Sequence, residues 1–310
     1  MFSCTAGGVI FPYGPFMIGA GVCKTPTRTL EWLKVAAVES GSYTPESRPG
    51  NTGKVFWPET LEEFLEGGAG FNSYNMPNMG YVEAAKQLAL YAGEQPLLVN
   101  IAGFTLADYL SGIEIFSALK SVSAIILNLG CPNSGHGEIM SFSIDDVASL
   151  LKVIASSPPP KPIWLKFSPY TNPAELRRMA ELVNFYPNLV RAVVTCNTVP
   201  NCYAGPDTID PNNGLAGMSG PAILQFARGQ TRQFRQHLDI KIDVVGVGGI
   251  TTGNDIIDRL ADGAKLTQLV SLAHWAGDPD TFHEHLLNPA TSGRFTEYLN
   301  HWKGHTDGQA

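Results

Sequence analysis

Residues 128–133 (Asn-Leu-Gly-Cys-Pro-Asn) place a cysteine among amide side chains, directly after the apolar run of residues 124–127. A cysteine does chemistry as its thiolate, and a loop that follows a buried strand can direct such a group at a ligand. The alternative for Cys131 is a structural cysteine at a turn, because free cysteine packs well in cores. The rest of the chain has to separate these two interpretations.

Several other apolar runs also end in a single amide or amine. Asn100, Asn128, Lys166 and Asn197 each stand at such a position. A closed barrel of parallel strands would bring these ends together at its C-terminal rim, where barrel active sites lie. One asparagine alone could simply cap a strand end. The repetition favours a shared pocket around Cys131, with Asn128, Lys166 and Asn197 in its wall.

Residues 246–250 (Gly-Val-Gly-Gly-Ile) form a glycine-rich turn before a helix that is predicted to start near Gly253. Backbone N–H groups at such a turn can bind phosphate, and barrels often bind phosphate after strands 7 and 8. Tight packing is the other explanation for these glycines. Lys166, as a buried cation at a strand end, would suit the electron-rich pyrimidine edge of a reduced flavin, which needs a fixed positive partner.

The segments that must position these residues alternate between short apolar runs and amphipathic helices. Ser143 with Asp146 predicts the start of one helix, and Asn172 followed by Pro173 predicts the start of another. Strands that are apolar throughout indicate a parallel sheet covered by helices. The strand candidates are residues 16–18, 97–99, 125–127, 163–165, 192–194, 243–245 and 266–270.

This alternation fits a closed eight-stranded barrel or an open doubly wound sheet. About eight strand-helix units fit between residues 16 and 285, and no Gly-x-Gly-x-x-Gly motif follows the first strand. Both observations favour the barrel. We therefore predict an α/β fold, a (β/α)8 TIM barrel, in which residues 1–310 form a single domain with the active site at the C-terminal rim of the strands.

The composition is that of a soluble globular protein, with 44% hydrophobic and 16% charged residues among 310. A net charge of −7 argues against nucleic-acid binding, which needs clustered Lys and Arg. Residues 1–22 lack a basic region and are broken by Gly and Pro, so neither a signal peptide nor a membrane span is predicted. Cysteines 4, 23, 131, 196 and 202 lack CxxC spacing, which favours reduced thiols and a cytoplasmic location.

Taken together, the motifs of this chain resemble the class 1 dihydroorotate dehydrogenase family, and most closely its soluble class 1A form. The resemblance spans nearly the whole chain. The matching motifs are residues 128–133, Asn72-Ser73 with Pro77-Asn78, Lys166 before Pro169-Tyr170, Asn197-Thr198, residues 214–220, and Gly246-x-Gly248-Gly249.

The resemblance implies an FMN-binding barrel in which Cys131 removes a proton from the substrate carbon beside a carbonyl, while hydride passes from the neighbouring carbon to flavin N5. It also implies fumarate as the second substrate, reduced at the same site, and a homodimer. The implied substrate-binding residues are Asn72, Tyr74, Asn75, Met76, Asn128, Asn133, Asn197 and Thr198. The implied cofactor-binding residues are Gly19, Ala20, Gly21, Lys166, Gly220, Gly248, Gly249 and Ser271.

The chain departs from the family where the substrate carboxylate would bind. The family's lysine after the second strand, which reaches both flavin and substrate, aligns with Ser40 or Gly41. The loop that grips the carboxylate reads Ser-Tyr-Asn-Met-Pro-Asn at residues 73–78. Lys24, just after the first strand, could supply the missing charge from another direction, or could be a solvated loop lysine. The altered loop could also reshape the pocket for a larger or uncharged ring.

Other positions carry narrower expectations. Gly130 replaces the serine before the family's cysteine, and residues 270–271 (Val-Ser) replace a glycine of its second phosphate loop. Cys196 is expected to pack in the core and to point away from the pocket if Asn197 points in, because side chains alternate along a strand. His136 could adjust the thiol or close over the substrate, or could be a solvated loop histidine.

Three hypotheses for the function remain open. The first is an FMN-dependent oxidoreductase that interconverts a C–C single and double bond next to a carbonyl, with dihydroorotate or a related cyclic amide as substrate. The second is a divergent family member that acts on a different ring. The third is a flavin-binding protein without turnover. No metal site is predicted, because the pairs His283 with His285 and His301 with His305 lack a third ligand.

Overall fold

The structure is a computed structural model that describes residues 3–34, 36–130, 139–205, 209 and 213–306. Cys131, Asn133 and His136 therefore lie outside the described residues. The strands, in chain order, are β1 (Cys4–Ala6), β2 (Val9–Phe11), β3 (Phe16–Ile18), β4 (Ala37–Tyr43), β5 (Phe56–Trp57), β6 (Gly70–Asn72), β7 (Leu97–Ile101), β8 (Val122–Asn128), β9 (Ile163–Lys166), β10 (Val190–Val194), β11 (Val199–Tyr203), β12 (Leu215–Ser219), β13 (Asp243–Val247) and β14 (Leu266–Leu269).

The helices are α1 (Pro26–Trp32), α2 (Leu61–Gly67), α3 (Tyr81–Leu88), α4 (Leu106–Ser117), α5 (Ile144–Ser156), α6 (Pro173–Val183), α7 (Leu224–His237), α8 (Gly253–Ala261), α9 (Ser271–Ala276), α10 (Pro279–Leu286) and α11 (Pro289–Thr306). The predicted helix starts are confirmed. Ser143 caps α5 by accepting a hydrogen bond from the Asp146 N–H, and Asn172 caps α6 with Pro173 in its first turn. Both caps satisfy N–H groups that a helix start leaves without an intrahelical partner.

The predicted (β/α)8 barrel is confirmed. Parallel strands close it in the order β3-β4-β7-β8-β9-β10-β13-β14. All seven apolar runs fall on barrel strands. The eighth strand, β4, was not among them because Glu39, Ser40 and Ser42 interrupt its apolar pattern, although Glu39 and Ser40 are fully buried in the fold.

The barrel is closed at the end opposite its C-terminal rim by the hairpin of β1 and β2. Ala6, Val9 and Phe11 of this hairpin pack against the inward-facing residues of the barrel strands, Trp164 among them. The Trp164 indole N–H donates to the carbonyl of Gly7 at 2.9 Å, and a Cβ atom at Gly7 would lie 2.3 Å from the indole ring. The hairpin turn therefore depends on a glycine that leaves room for the tryptophan.

The inward-facing side chains change from apolar to polar along the barrel. Residues such as Ala124, Ile126 and Val245 fill the interior near the hairpin. Towards the C-terminal rim, strand alternation places a set of buried polar residues inside, which we call the polar layer: Glu39, Asn100, Asn128, Lys166 and Gln268. A second sheet, in the order β11-β12-β6-β5, adds residues at the rim.

Candidate active site

A cleft of about 1200 Å³, counted with its open mouth, lies at the C-terminal rim of the barrel. Many of the predicted site residues line it: Ala20, Gly21, Asn72, Tyr74, Met76, Asn128, Lys166, Asn197, Thr198, Gly248, Gly249 and Ser271.

The amides at the strand ends form one connected group. Asn197 Nδ2 donates to Asn128 Oδ1 at 3.3 Å, and Asn128 Nδ2 donates to the Ser42 hydroxyl at 3.0 Å. The Gly130 N–H also donates to Asn128 Oδ1 at 3.3 Å. These bonds fix the start of the loop that continues into Cys131. Asn128, which borders the cleft, therefore holds the backbone of Gly130, the last described residue before Cys131.

Gly130 differs from the family serine for a packing reason. A Cβ atom at this position would lie 2.5 Å from the backbone nitrogen of Ser168 and 2.7 Å from the carbonyl carbon of Phe167. Backbone atoms cannot move aside as a flexible side chain can. The substitution therefore reflects close contact between two neighbouring strand ends.

The polar layer contains a buried ion pair that the sequence did not reveal. Lys166 Nζ lies 3.5 Å from Glu39 Oε2, and the two side chains are 6% and 0% exposed. The Ala20 N–H donates to the same oxygen at 3.1 Å, while Asn100 Nδ2 donates to Glu39 Oε1. The carboxylate thus has an N–H donor against each oxygen. This is the condition under which a buried charge is tolerated.

The second barrel strand, β4, places no cation in the cleft. Ser40 is fully buried, and its hydroxyl bonds to the Tyr43 hydroxyl at 2.8 Å and to the Thr29 hydroxyl at 3.0 Å. Gly41 does line the cleft, but a Cβ atom there would lie 2.5 Å from the Asn100 carbonyl oxygen. Neither position could hold the family's lysine without rearrangement of this strand.

Lys24 lies in the cleft wall instead of extending into solvent. Its Nζ lies 3.3 Å from the centroid of the Tyr74 ring. The Tyr74 hydroxyl is 3.1 Å from His274 Nε2, and the ring stacks on Phe56 at 6.0 Å between centroids. His274 and Tyr74 are thus held against each other, with Lys24 over the ring face. We call Lys24, Phe56, Tyr74 and His274 the aromatic wall.

Burial shifts the titration of three groups in the aromatic wall. It lowers the pKa of Lys24 to about 8. Burial, with the nearby charges of Lys24 and Arg28, lowers the pKa of His274 to about 4, and burial raises the pKa of Tyr74 to about 12. At neutral pH the imidazole and the phenol are therefore uncharged. His274 was absent from the sequence predictions, since a lone histidine in a helix carries no distinguishing signal.

The glycine-rich turn serves packing and lines the cleft at once. Gly248 and Gly249 have φ values of 101° and 80°, which favour glycine, and both border the cleft. A Cβ atom at Gly246 would lie 2.3 Å from the side chain of Arg259. The buried Arg259 guanidinium donates to the carbonyls of Val247 and Gly248 at 2.9 and 2.7 Å. The packing explanation for these glycines is therefore confirmed, and phosphate binding at the turn stays a prediction.

Three predicted site residues are not among those that line the cleft. The Asn75 side chain is engaged by Arg48 Nη2 at 2.7 Å and donates to Asn51 Oδ1 at 3.3 Å. A Cβ atom at Gly19 would lie 2.7 Å from a Val270 methyl group, and one at Gly220 would lie 2.6 Å from the Phe64 ring. Contact between these residues and a ligand stays a prediction, as it does for Cys131 and Asn133.

The expected orientation of Cys196 was wrong. It is buried in the inner core, as expected, but it also borders the cleft because it continues the inward-facing series of Ala192 and Val194. Strand β10 ends at Val194, so alternation no longer sets the direction of Asn197. Burial raises the pKa of the Cys196 thiol to about 12, which keeps it protonated at neutral pH.

Within the described residues, no group of three or more His, Cys, Asp or Glu side chains is arranged to hold a metal ion. The same part of the chain contains no helix both long and apolar enough to cross a membrane. The site that the structure offers is thus the cleft with its amides, its glycine turn and its two lysines.

Comparison with known proteins places these features in a family. A family model described as dihydroorotate dehydrogenase matches residues 3–285. The dihydroorotate dehydrogenase A (fumarate) of Lactococcus lactis subsp. lactis is 30% identical over 277 residues, which cover 85% of each chain. The catalytic subunit of dihydroorotate dehydrogenase B (NAD(+)) of Listeria welshimeri is 32% identical over 236 residues, which cover 74% of this chain and 73% of its own.

The fold is shared with solved structures of more distant sequence. A ligand-free crystal structure of DHODH from Eimeria tenella aligns with a TM-score of 0.74 at 18% identity, over 93% of this chain and 87% of its own. A complex of DHODH from the same organism with ferulenol aligns with a TM-score of 0.69 at 17% identity, over 86% and 78%. With the family match over nearly its whole length, this chain belongs to the dihydroorotate dehydrogenase family of flavin-dependent oxidoreductases.

Proposed function

We propose that this protein oxidises dihydroorotate to orotate with FMN as its cofactor, and that fumarate is the final electron acceptor. In the forward half-reaction a proton leaves the carbon beside a ring carbonyl and a hydride leaves the neighbouring carbon, so that a C=C bond forms. In the second half-reaction fumarate takes up two electrons and two protons to give succinate. The relative from Lactococcus lactis, named for dihydroorotate and fumarate, supports this assignment.

The residues present fit FMN. Gln268 lines the cleft, and its buried Oε1 atom has no hydrogen-bond partner among the described residues, which leaves an acceptor for a ligand N–H group. Gly248, Gly249 and Ser271 also border the cleft. Lys166 would face the pyrimidine edge of the flavin. When bound, FMN supplies the acceptor for the hydride.

The chain's own groups have distinct tasks in this proposal. Cys131 takes the proton, and its loop starts from the Gly130 N–H bond to Asn128. Asn72, Asn128 and Asn197 border the cleft and can bind the ring amides of the substrate through complementary donors and acceptors. Positioning of this kind places the substrate carbon near the base, which is the part of catalysis that a rigid rim can supply.

The observation that carries the proposal is the convergence of Asn128, Asn197 and Lys166 in one cleft at the point where the Cys131 loop begins. Its test is anaerobic mixing of the purified holoenzyme with dihydroorotate, followed by fumarate. The flavin absorbance should bleach with dihydroorotate and return with fumarate. A protein that purifies without flavin and takes up no FMN would remove the proposal.

A second candidate is oxidation or reduction of a related cyclic amide that carries no carboxylate. The absence of a cation at Ser40 and Gly41 favours it, because the charge that the family uses there is missing. Bleaching by dihydrouracil but not by dihydroorotate would select this candidate. Bleaching by dihydroorotate alone would select the first.

The homodimer and the cytoplasmic location stay predictions from the resemblance and the cysteine pattern. Sedimentation of the holoenzyme at several concentrations tests the first. A mass close to the 33.4 kDa of one chain at all concentrations would contradict it.

A further inference from the structure

The charges that line the cleft are one-sided. Lys24 and Lys166 are its basic side chains that carry charge, since His274 is neutral at pH 7, and no Asp or Glu lines it among the described residues. The whole chain is acidic, with a net charge of −7. A cationic cleft in an acidic protein indicates an anionic ligand, because the average surface would repel one.

The two lysines differ in whether a carboxylate already balances their charge. Lys166 has Glu39 at 3.5 Å. Lys24 has no carboxylate of the described residues within 4.0 Å, and the group against it is the face of Tyr74. A ring face attracts an ammonium through its quadrupole but accepts no full set of N–H bonds. Lys24 therefore retains donors and charge for a ligand.

The aromatic wall holds the Lys24 ammonium in place. Tyr74 is fixed by its bond to His274 at 3.1 Å and by stacking on Phe56. His274 is neutral at pH 7, so it does not compete for an anion as a second cation would. Nearby Arg28 is not among the residues that line the cleft, and it donates to the carbonyls of Val22 and Gly277. Lys24 is the one free cation among these wall groups.

We propose that Lys24, held over Tyr74, binds the carboxylate of the cyclic diamide acid that occupies this cleft, and so replaces the cation absent from Ser40 and Gly41. This inference rests on the proposed function. It makes Lys24 a specificity-determining residue: it selects acids over the same ring without a carboxylate. The positive charge is thus supplied by the loop between β3 and α1 and not by β4, the second barrel strand.

The test compares orotate with its carboxamide, which has the same ring and no charge. Binding of each to the holoenzyme is followed by the perturbation of the flavin spectrum. In Lys24→Met the dissociation constant for orotate should rise about 10- to 100-fold, the range for loss of a charge-assisted hydrogen bond. The constant for the carboxamide should change less than about threefold by the same reasoning, since no charged partner is lost. Lys24→Arg should restore most of the orotate affinity.

Controls separate a charge effect from damage to the site. FMN content and melting temperature should be unchanged in Lys24→Met, and Lys24→Gln provides a polar alternative if the Met variant is unstable. Lys34→Met, at an exposed lysine after α1, should leave both constants unchanged.

Each of the remaining outcomes overturns the inference. If Lys24→Met binds orotate as the wild type does, while the wild type oxidises dihydroorotate, the proposed function stands and the role of Lys24 falls. If Lys24→Met weakens the binding of orotate and of its carboxamide by the same factor, Lys24 contacts the ring and not the carboxylate. If the wild-type holoenzyme carries FMN but neither binds orotate nor is reduced by dihydroorotate, both the proposed substrate and this inference are wrong.

Discussion

The buried pair of Glu39 and Lys166 gives the sharpest prediction for stability. In Glu39→Gln the carboxylate charge is lost while the side-chain shape is kept. Both carboxylate oxygens face N–H donors, from Asn100 on one side and from Ala20 and Lys166 on the other. The amide NH2 of glutamine therefore meets a donor in either orientation, and Lys166 is left as a buried cation without its partner.

The magnitude follows from the separation and the burial. At 3.5 Å and an effective dielectric constant of about 20, the gross attraction between unit charges is about 5 kcal/mol. Removal of one member of a buried pair typically costs about 3–5 kcal/mol, because the other charge stays buried. We expect Glu39→Gln to lower the free energy of unfolding of the FMN-free protein by that amount.

The assay is urea unfolding followed by circular dichroism, with the midpoint compared at constant slope. Glu181→Gln is the matched control, because its pair with Arg177 is 3.7 Å long and both side chains are more than half exposed. Glu181→Gln should lower the free energy of unfolding by less than about 1 kcal/mol. Lys166→Met in the Glu39→Gln background should recover part of the loss, because it removes the unpaired cation. A loss in Glu39→Gln no larger than in Glu181→Gln would refute the reasoning.

Cys131, Gly130 and Lys24 can each be tested by a single substitution. Cys131→Ala should retain FMN yet slow anaerobic flavin reduction by dihydroorotate at least about a hundredfold, the usual worth of general base catalysis, and an unchanged rate in stopped flow would exclude the thiol as base. Gly130→Ser should lower the free energy of unfolding by about 1–3 kcal/mol, since its Cβ atom would lie 2.5 Å from Ser168 N, whereas Gly229→Ser, with open space around it, should be close to neutral. Orotate affinity should fall as pH rises through about 8, because Lys24 is protonated below its lowered pKa and neutral above it. His274, whose pKa is lowered to about 4, and Tyr74, whose pKa is raised to about 12, do not change charge in this range. A spectral titration in which Lys24→Arg shows the same fall in orotate affinity as the wild type would therefore count against the assignment.

The fold could be predicted from the sequence because most barrel strands are buried on both sides. Such strands appear as continuous apolar runs, and the helix caps at Ser143 and Asn172 mark the elements between them. Strand β4 could not be predicted because Glu39 interrupts its apolar pattern. Glu39 faces the barrel interior, where the fold places Lys166 beside it. A buried charge whose partner is distant in the chain looks like a surface residue in the sequence.

The candidate site was predictable where a residue type recurred at strand ends. Asn128, Lys166 and Asn197 were found in this way, and all line the cleft. His274 and the position of Lys24 over Tyr74 could not be found, since they depend on how a loop and a short helix pack at the rim. Position in space, and not residue type, decides between a solvated lysine and one in a cleft wall.

The hairpin that closes the far end of the barrel has a consequence for electrostatics at the rim. Beneath the polar layer lies an apolar cluster that includes the plug of Ala6, Val9 and Phe11, so this side has a low dielectric constant. Solvent and salt can screen Glu39 and Lys166 only through the mouth. A ligand that fills the mouth removes this screening as well. A bound ligand therefore strengthens the electric field at its own position. The interaction between Glu39 and Lys166 should also depend less on ionic strength once the cleft is filled.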